Sequence, residues 1–474
     1  MFYGREDELA ELDALWRKGT ASLVTCRGRR RIGKSTLIEE FAKRSKAKFL
    51  RFEGLAPEPR QKNADQIRYF AERLKAQRRG GIGVIPESWH DVFAALDAVI
   101  GNGRTVVLLD EISWMGRLDP NFPGYLKSAW DLRLKRHRNL ILVLCGSVSA
   151  WIADNILSNT GFVGRLSRDL VLRELPLRDA VRFWGRKARS VGTMEFFDIL
   201  SVTGAVPRYL EEVDPTLSSD ENIRRLCFLP SGTLFSDFAQ IFTDVFGVNA
   251  SVKRAALRSL ARAPMTCAEL AVDLDVGKGG SLLRQLDELV LAGFVSRDSD
   301  VNPKTGKAAR ECKYRLCDNY TRFYLHFIEP NAVSIKNGKY KFIALEGLRG
   351  WNSALGLQFE NLVVNNFEAL LGPLGLTGVE IVSAAPYRKR GKKGEGCQID
   401  LLIQTRRALY VVEIKRKEMI GMEVEDEVER KVVRLPRRPG MSVRKVLVYE
   451  GRLSKEVEAD GYFDFIIPAA RLIG

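Results

Sequence analysis

The stretch Ala21-Ser22-Leu23-Val24-Thr25-Cys26-Arg27-Gly28-Arg29-Arg30-Arg31-Ile32-Gly33-Lys34-Ser35-Thr36 decides the fold. Residues 21–26 are mostly apolar and read as a buried strand. A turn follows with glycine at each end, Gly28 and Gly33, and then Lys34-Ser35, where a helix opens. The spacing is GxxxxGK[ST], in the strand-then-helix context that spacing needs. Glycines let backbone N–H groups turn inward around an anion, and the positive end of the helix dipole adds to that field. Gly28, Ile32 and Gly33 are expected to cradle a β-phosphate, with Lys34 reaching the β- and γ-phosphates. Ser35 is expected to hold Mg2+, and Thr36 to lie beside the α-phosphate. The implied ligand is a magnesium nucleoside triphosphate, taken as ATP.

Outward from this turn, 47–53 reads as a second strand, and 61–78 and 88–101 as helices. TVVLLD at 105–110, NLILVLC at 139–145 and RDLVL at 168–172 supply three more strands. Short apolar runs of this kind are buried on both faces of a parallel sheet, and their alternation with helices implies a doubly wound α/β domain of the P-loop NTPase type. Asp110-Glu111 ends the third strand, where ligands bind in such sheets. Asp110 is expected to hold magnesium through water and Glu111 to polarise the attacking water. Ser147, after the fourth strand, is placed to sense the γ-phosphate. Arg165 is placed to meet the γ-phosphate of the same subunit or, in a homo-oligomer, of a neighbouring one.

The rest of the chain divides by pattern. The ATPase-like core runs over 1–175, and 176–247 reads as a helical lid. Segments 252–262, 266–274 and 280–292 read as helices, followed by a two-stranded hairpin: a winged helix over 248–329. Its last helix exposes Arg284 but also Asp287 and Glu288, a poor match to a groove of phosphates, so DNA and protein both stay open as its partner. An α/β region fills 340–474, with a helix at 355–371, strands at 378–383, 397–404, 408–415 and 444–449, and a helix at 423–435.

Within that region CQIDLLI (397–403) and LYVVEIK (409–415) flank a polar turn. Symmetric pairing about 406–407 sets Asp400 opposite Glu413 and Gln398 opposite Lys415 on one face. Ile399, Leu401, Ile403, Tyr410, Val412 and Ile414 gather on the other. Two adjacent carboxylates repel unless a cation lies between them. A divalent metal, Mg2+ or Mn2+, ligated by Asp400 and Glu413 would supply it, with Lys415 holding a nucleophile or phosphate. The loop Arg388-Lys389-Arg390-Gly391-Lys392-Lys393 suits a phosphate backbone or is simply a solvated loop.

Together these features resemble the archaeal-type ATPase family of the STAND branch of AAA-like NTPases. The resemblance rests on Phe2-Tyr3-Gly4-Arg5-Glu6 with Glu8-Leu9, the phosphate-binding turn, LLDEI at 108–112, CGS at 145–147, Gly164-Arg165 and TGAVPRYL at 203–210. It implies that Arg5 contacts the nucleotide in an adenine pocket, and that Gly204-x-x-Pro207 couples nucleotide state to the lid. Family members often carry a winged helix and a nuclease-like C-terminal region. The D…ExK pattern resembles the PD-(D/E)XK nuclease superfamily, which implies a metal-side role for Glu360 beside Asp400, Glu413 and Lys415.

The formal net charge of +16 points to a polyanionic partner, most simply DNA. No run of about 18 apolar residues occurs, so no membrane-spanning helix is expected. Seven scattered cysteines without a CxxC pair fit a reducing cytoplasm and provide no zinc site. Two readings follow. One is an ATPase whose nucleotide state regulates a metal-dependent nuclease-like module. The other is a signalling or scaffold ATPase whose C-terminal domain binds without cutting.

Overall fold

Five β-branched- and leucine-rich segments pair in a parallel sheet: β1 Ser22–Gly28, β2 Lys48–Glu53, β3 Thr105–Asp110, β4 Leu140–Gly146 and β5 Leu166–Leu172. Their order is β2-β3-β4-β1-β5 in this computed structural model. It describes all residues except 1, 57, 78–85, 148, 248–249, 278, 299–300, 306, 308–311 and 390–395. The chain forms two compact units, Met1–Arg173 and Glu174–Gly474.

The first unit is the expected doubly wound sheet. Val107 and Leu109 of β3 join one core with Phe70, Trp89, Phe93 and Phe122 from helices. Val106 and Leu108, on the opposite face, are just as buried, and the helix Lys34–Arg44 packs against that strand. A sheet covered on both faces tolerates unbroken apolar strands, which is why β3 and β4 are buried at every residue. The order turns beside β1, so the C-terminal ends of β1, β3 and β4 converge at one edge.

The second unit begins helically, with Thr193–Thr203, Ser219–Cys227 and Thr233–Phe246. Helices Ser251–Arg262, Cys267–Asp273 and Gly280–Leu291 follow. They lead into an antiparallel sheet ordered β6-β8-β7, from β6 Met265–Thr266, β7 Val295–Asp298 and β8 Lys313–Leu316. The segment called 378–383 pairs later than expected, as β9 Ile381–Lys389, and the helix expected over 355–371 runs from Trp351 to Asn365. A second five-stranded sheet has the order β13-β12-β11-β10-β9, with β10 Cys397–Thr405, β11 Ala408–Ile420, β12 Ser442–Leu453 and β13 Phe465–Pro468. β9 to β11 are antiparallel neighbours; β11, β12 and β13 run parallel, with the helix Glu423–Arg434 as the crossover between β11 and β12.

The β10–β11 hairpin has the expected register where its pairs are formed, Leu401↔Val412 through Gln404↔Leu409. The two-face division does not hold. Between Ile399↔Tyr387 and Leu402↔Ala385, β10 spends two residues, Asp400 and Leu401, where β9 spends only Pro386. Proline has no N–H to give a ladder, and a bulge of this kind flips the alternation. Ile399 therefore shares a core with Leu402, Leu409 and Val411 beneath the helix Glu423–Arg434, instead of lying with Leu401 and Ile403.

Candidate functional site

The phosphate-binding turn is held by its neighbours. Gly28 approaches β5 so closely that a Cβ would stand 2.4 Å from the Leu172 carbonyl oxygen, so no side chain fits there. Arg31 and Gly33 have φ of 70° and 87°, the left-handed geometry that turns amides inward. Arg5 is buried and donates to the Ile32 carbonyl at 3.2 Å and the Arg173 carbonyl at 2.6 Å. In this structure it clamps the turn to the end of the first unit. Lys34 Nζ donates to the carbonyls of Gly28 and Arg29 at 2.9 and 3.0 Å, inside the turn. Those carbonyls stand in for the phosphate oxygens an ammonium there would meet.

Ser35 Oγ donates to Asp110 Oδ2 at 2.6 Å, so a hydroxyl from the helix Lys34–Arg44 and a carboxylate from β3 converge, the donor set magnesium prefers. Arg51 of β2 also reaches Asp110 Oδ2, at 2.8 Å, a contact the sequence reading did not include. Alternation along β2 was the available signal, since Arg51 points the same way as Glu53, whose register partner is Asp110. Glu111 sits at φ 47°, an unusual conformation for a residue with a side chain and one that marks functional sites. Ser147 holds its carboxylate from both its N–H, at 3.1 Å, and its hydroxyl, at 2.9 Å. Arg165 forms a two-point ion pair with Asp131, at 2.9 Å on each side. That pair holds the Asp131 carboxyl well below its usual range.

In the second unit Asp400, Glu413 and Lys415 come together, with Glu360 electrostatically coupled to both carboxylates. Glu413 is fully buried and Asp400 nearly so. The bulge turns Asp400 so that its Oδ2 accepts the Ile414 N–H at 2.9 Å. Lys415 Nζ lies 2.7 Å from Glu413 and 2.8 Å from Glu427. Lys431, absent from the sequence reading, bonds Glu413 and lies 3.9 Å from Asp400 and 3.2 Å from Glu427. It is the cation between the carboxylates. Spacing made it findable: Val424, Glu427, Val428 and Lys431 share one face of the crossover helix.

Burial pushes the Asp400 carboxyl up to about 6, helped by the Glu360 charge and opposed by Lys431. Burial, then Asp400, lifts Glu413 to about 7. Glu360 is raised by burial although Arg388, Arg322 and Arg315 favour its charge. Glu427, less enclosed, is held down at about 2: burial works against its charge, but Lys415 and Lys431 outweigh it. No cluster of three metal-ligating side chains is assembled among the described residues. The donor chemistry still suits a hard cation, because Asp400 and Glu413 already share one ammonium. Arg390, Gly391, Lys392 and Lys393 of the expected phosphate-tracking loop lie outside the described residues.

Residues 2–213 match the model of an ATPase domain found predominantly in Archaea. An uncharacterized protein of Methanocaldococcus jannaschii is 23% identical over 431 residues, spanning 90% of this chain and 89% of that protein. An uncharacterized ATP-binding protein of the same organism is 42% identical over 48 residues, 10% of this chain and 81% of its own. The fold is shared with a Walker-type ATPase of Pyrococcus abyssi, with TM-score 0.51 and 15% identity over 69% of this chain and 96% of that one. No helix among the described residues is long and apolar enough to cross a membrane. The segment 2–213, with its phosphate-binding turn between β1 and the helix Lys34–Arg44, belongs to the family of ATPase domains found predominantly in Archaea.

Proposed function

We propose that the chain is an ATP-hydrolysing switch that regulates a metal-dependent, nuclease-like module acting on DNA. In the first unit Lys34 would exchange its two carbonyl partners for the β- and γ-phosphate oxygens. Ser35 and Asp110 would hold Mg2+, and Glu111, once released from Ser147, would take the proton of the attacking water. Ser147 would then be free to report the γ-phosphate. Arg5 would act through the turn it clamps. Arg165 in this reading turns from Asp131 to a γ-phosphate across a homo-oligomer contact.

The observation that carries the second half is the gathering of Asp400, Glu413 and Lys415 in one buried cluster to which Glu360 is coupled. A core with no chemistry to perform gains nothing from burying so many carboxylates, since each costs desolvation energy unless paired. Asp400 and Glu413 would ligate the divalent metal, which lowers the pKa of bound water and neutralises charge on phosphorus. Lys415 would steady the phosphate or nucleophile, and Glu360 would support the metal side. The helices Ser251–Arg262, Cys267–Asp273 and Gly280–Leu291 with their antiparallel sheet support reading 248–329 as a winged helix, and 176–247 as the lid. In the helix Gly280–Leu291, Glu288 is paired with both Lys253 and Arg284, which removes part of its repulsion towards phosphate.

Lys431 favours a second reading. An ammonium that already neutralises Asp400 and Glu413 leaves less need for a metal, which suits a scaffold ATPase whose C-terminal domain binds without cutting. Incubation with plasmid and single-stranded DNA separates the two, with Mg2+ or Mn2+ and with or without ATP. Metal-dependent cutting whose rate responds to ATP is expected. No cutting of DNA or RNA with either metal would leave the scaffold reading.

A further inference from the structure

Next to the carboxylate cluster, a small partly enclosed cleft of about 130 Å³ is lined by Arg262, Arg315, Arg322 and Arg388, with Glu360 and Asn361. Four guanidinium groups around one small space repel one another unless anions answer them. Arg262 is answered by Asp273 at 2.6 Å and Arg315 by Asp298 at 2.8 Å. Arg315 is further fixed by Asn361 and by Asn365 at 3.1 Å. Arg322 differs. Only 8% of it is exposed, its Nη2 donates to the Leu316 carbonyl, and its Nε has no hydrogen-bond partner among the described residues. A buried guanidinium donor left unmet is costly, and it is a reason to look for a missing acceptor. Among the described residues Glu360 is the one carboxylate on the wall, and it also faces the Asp400–Glu413 cluster.

We propose that this cleft is a phosphate pocket that seats the terminal phosphate of a nucleic-acid strand, with Arg322 and Arg388 as the principal ligands. The planar forks of arginine match phosphate oxygens, and a buried fork binds them more strongly than an exposed lysine does. The space admits a phosphate group and too little else for a nucleobase with its sugar, which favours a chain end over an internal linkage. Arg315, held rigid by Asp298 and Asn365, contributes field and shape. The inference rests on reading the neighbouring cluster as nuclease-like, because that reading brings a strand to Glu360. It makes the arginines a substrate-selecting subsite of that module, set beside the metal side.

The test uses the full chain, with EDTA present so that neither metal nor cutting intervenes. Fluorescence anisotropy compares oligonucleotides ending in 5′-phosphate, 3′-phosphate or hydroxyl groups. One phosphorylated end should bind about tenfold more tightly than hydroxyl, the scale of one charged hydrogen-bonding group. Millimolar inorganic phosphate should remove that advantage. Arg388→Gln should abolish the difference between phosphate-ended and hydroxyl-ended strands. Arg322→Lys should weaken it with an unaltered thermal melt, since the charge is kept and the fork is lost. Equal binding of all ends by wild type, or a preference that survives Arg388→Gln, overturns the proposal. End preference without any cutting in Mn2+ keeps the pocket and removes only the cleavage reading. Cutting without end preference does the reverse.

Discussion

Lys34 spends both of its described hydrogen bonds on carbonyls of its own turn, so its charge has no other structural role in the described contacts. Lys34→Ala should therefore abolish ATP binding in a nucleotide titration while changing the melting temperature little. Undiminished ATP binding would contradict the assignment. Glu111→Gln keeps the contact with Ser147 but cannot take a proton. ATP should still bind while hydrolysis falls by about 10²–10⁴-fold, the usual contribution of a general base. Hydrolysis at the wild-type rate would mean that another residue handles the water. Asp400 and Glu413 carry a pH prediction. Both carboxyls are raised by burial, to about 6 and about 7, so the folded state holds their protons to higher pH than the unfolded chain. Their contribution to stability is then favourable at low pH and is lost as pH rises through the ordinary carboxylate range towards 7. A divalent cation needs the charged forms, so Mn2+ should raise the melting temperature little below pH 6 and clearly above pH 7. A stabilisation that is flat across that window would contradict a cation bound by this pair. At this scale the sequence named both carboxylates and Lys415 because a D…ExK hairpin is local. Lys431 was within reach through the spacing of the crossover helix, whereas Arg322 was not, because its place depends on residues far apart in sequence.

The helix Thr193–Thr203 is the element whose role the sequence concealed. It packs against the helix Trp351–Asn365, which carries Glu360, and against β12. Asp198 forms a partly buried ion pair with Arg416, the residue after Lys415, and Glu450 faces the same guanidinium from β12. Burial lifts Glu450 to about 7 and also raises Asp198, while Arg416 favours the charge of each. Gln358 donates to the Ser201 carbonyl at 2.9 Å, and Phe359 meets Phe197 edge-on at 5.0 Å, both beside Glu360. The helix ends at Gly204, whose φ of 58° and contact with Glu174 leave no room for a Cβ. Asp198→Ala strands a mostly buried arginine, and loss of one partner from such a pair costs about 3–5 kcal/mol, with Glu450 moderating the loss. Urea unfolding should show it, and a loss below about 1 kcal/mol would mean the pair is not structural. Element types were readable because periodicities of 2 and 3.6 are local. The bulge at Asp400 was not, because it lies opposite Pro386 on a neighbouring strand, outside the hairpin itself.

For the whole molecule, the excess of 75 basic over 59 acidic residues sets the long-range field. If nucleic acid is the partner, log affinity should fall linearly with log salt, with a slope of about −0.9 per duplex phosphate neutralised. Charge reversal at Arg388 and Lys389 should flatten it. Binding that ignores salt would point away from nucleic acid. The chain divides into two compact units between Arg173 and Glu174, after the last strand of the parallel sheet. What the sequence could not supply was how closely the helical, three-helix and C-terminal segments interlock in one unit, since that depends on buried polar bonds such as those from Gln358 and Asn361. The proposed function requires the carboxylate cluster to cut a nucleic-acid strand with a bound divalent metal. The most direct measurement is cleavage of plasmid and single-stranded DNA in Mn2+ by wild type and by Asp400→Ala, with thermal melts of both. Cutting by wild type and none by a folded Asp400→Ala protein are expected of the proposed function. Robust cutting by folded Asp400→Ala, or no cutting by wild type on any substrate, would contradict it.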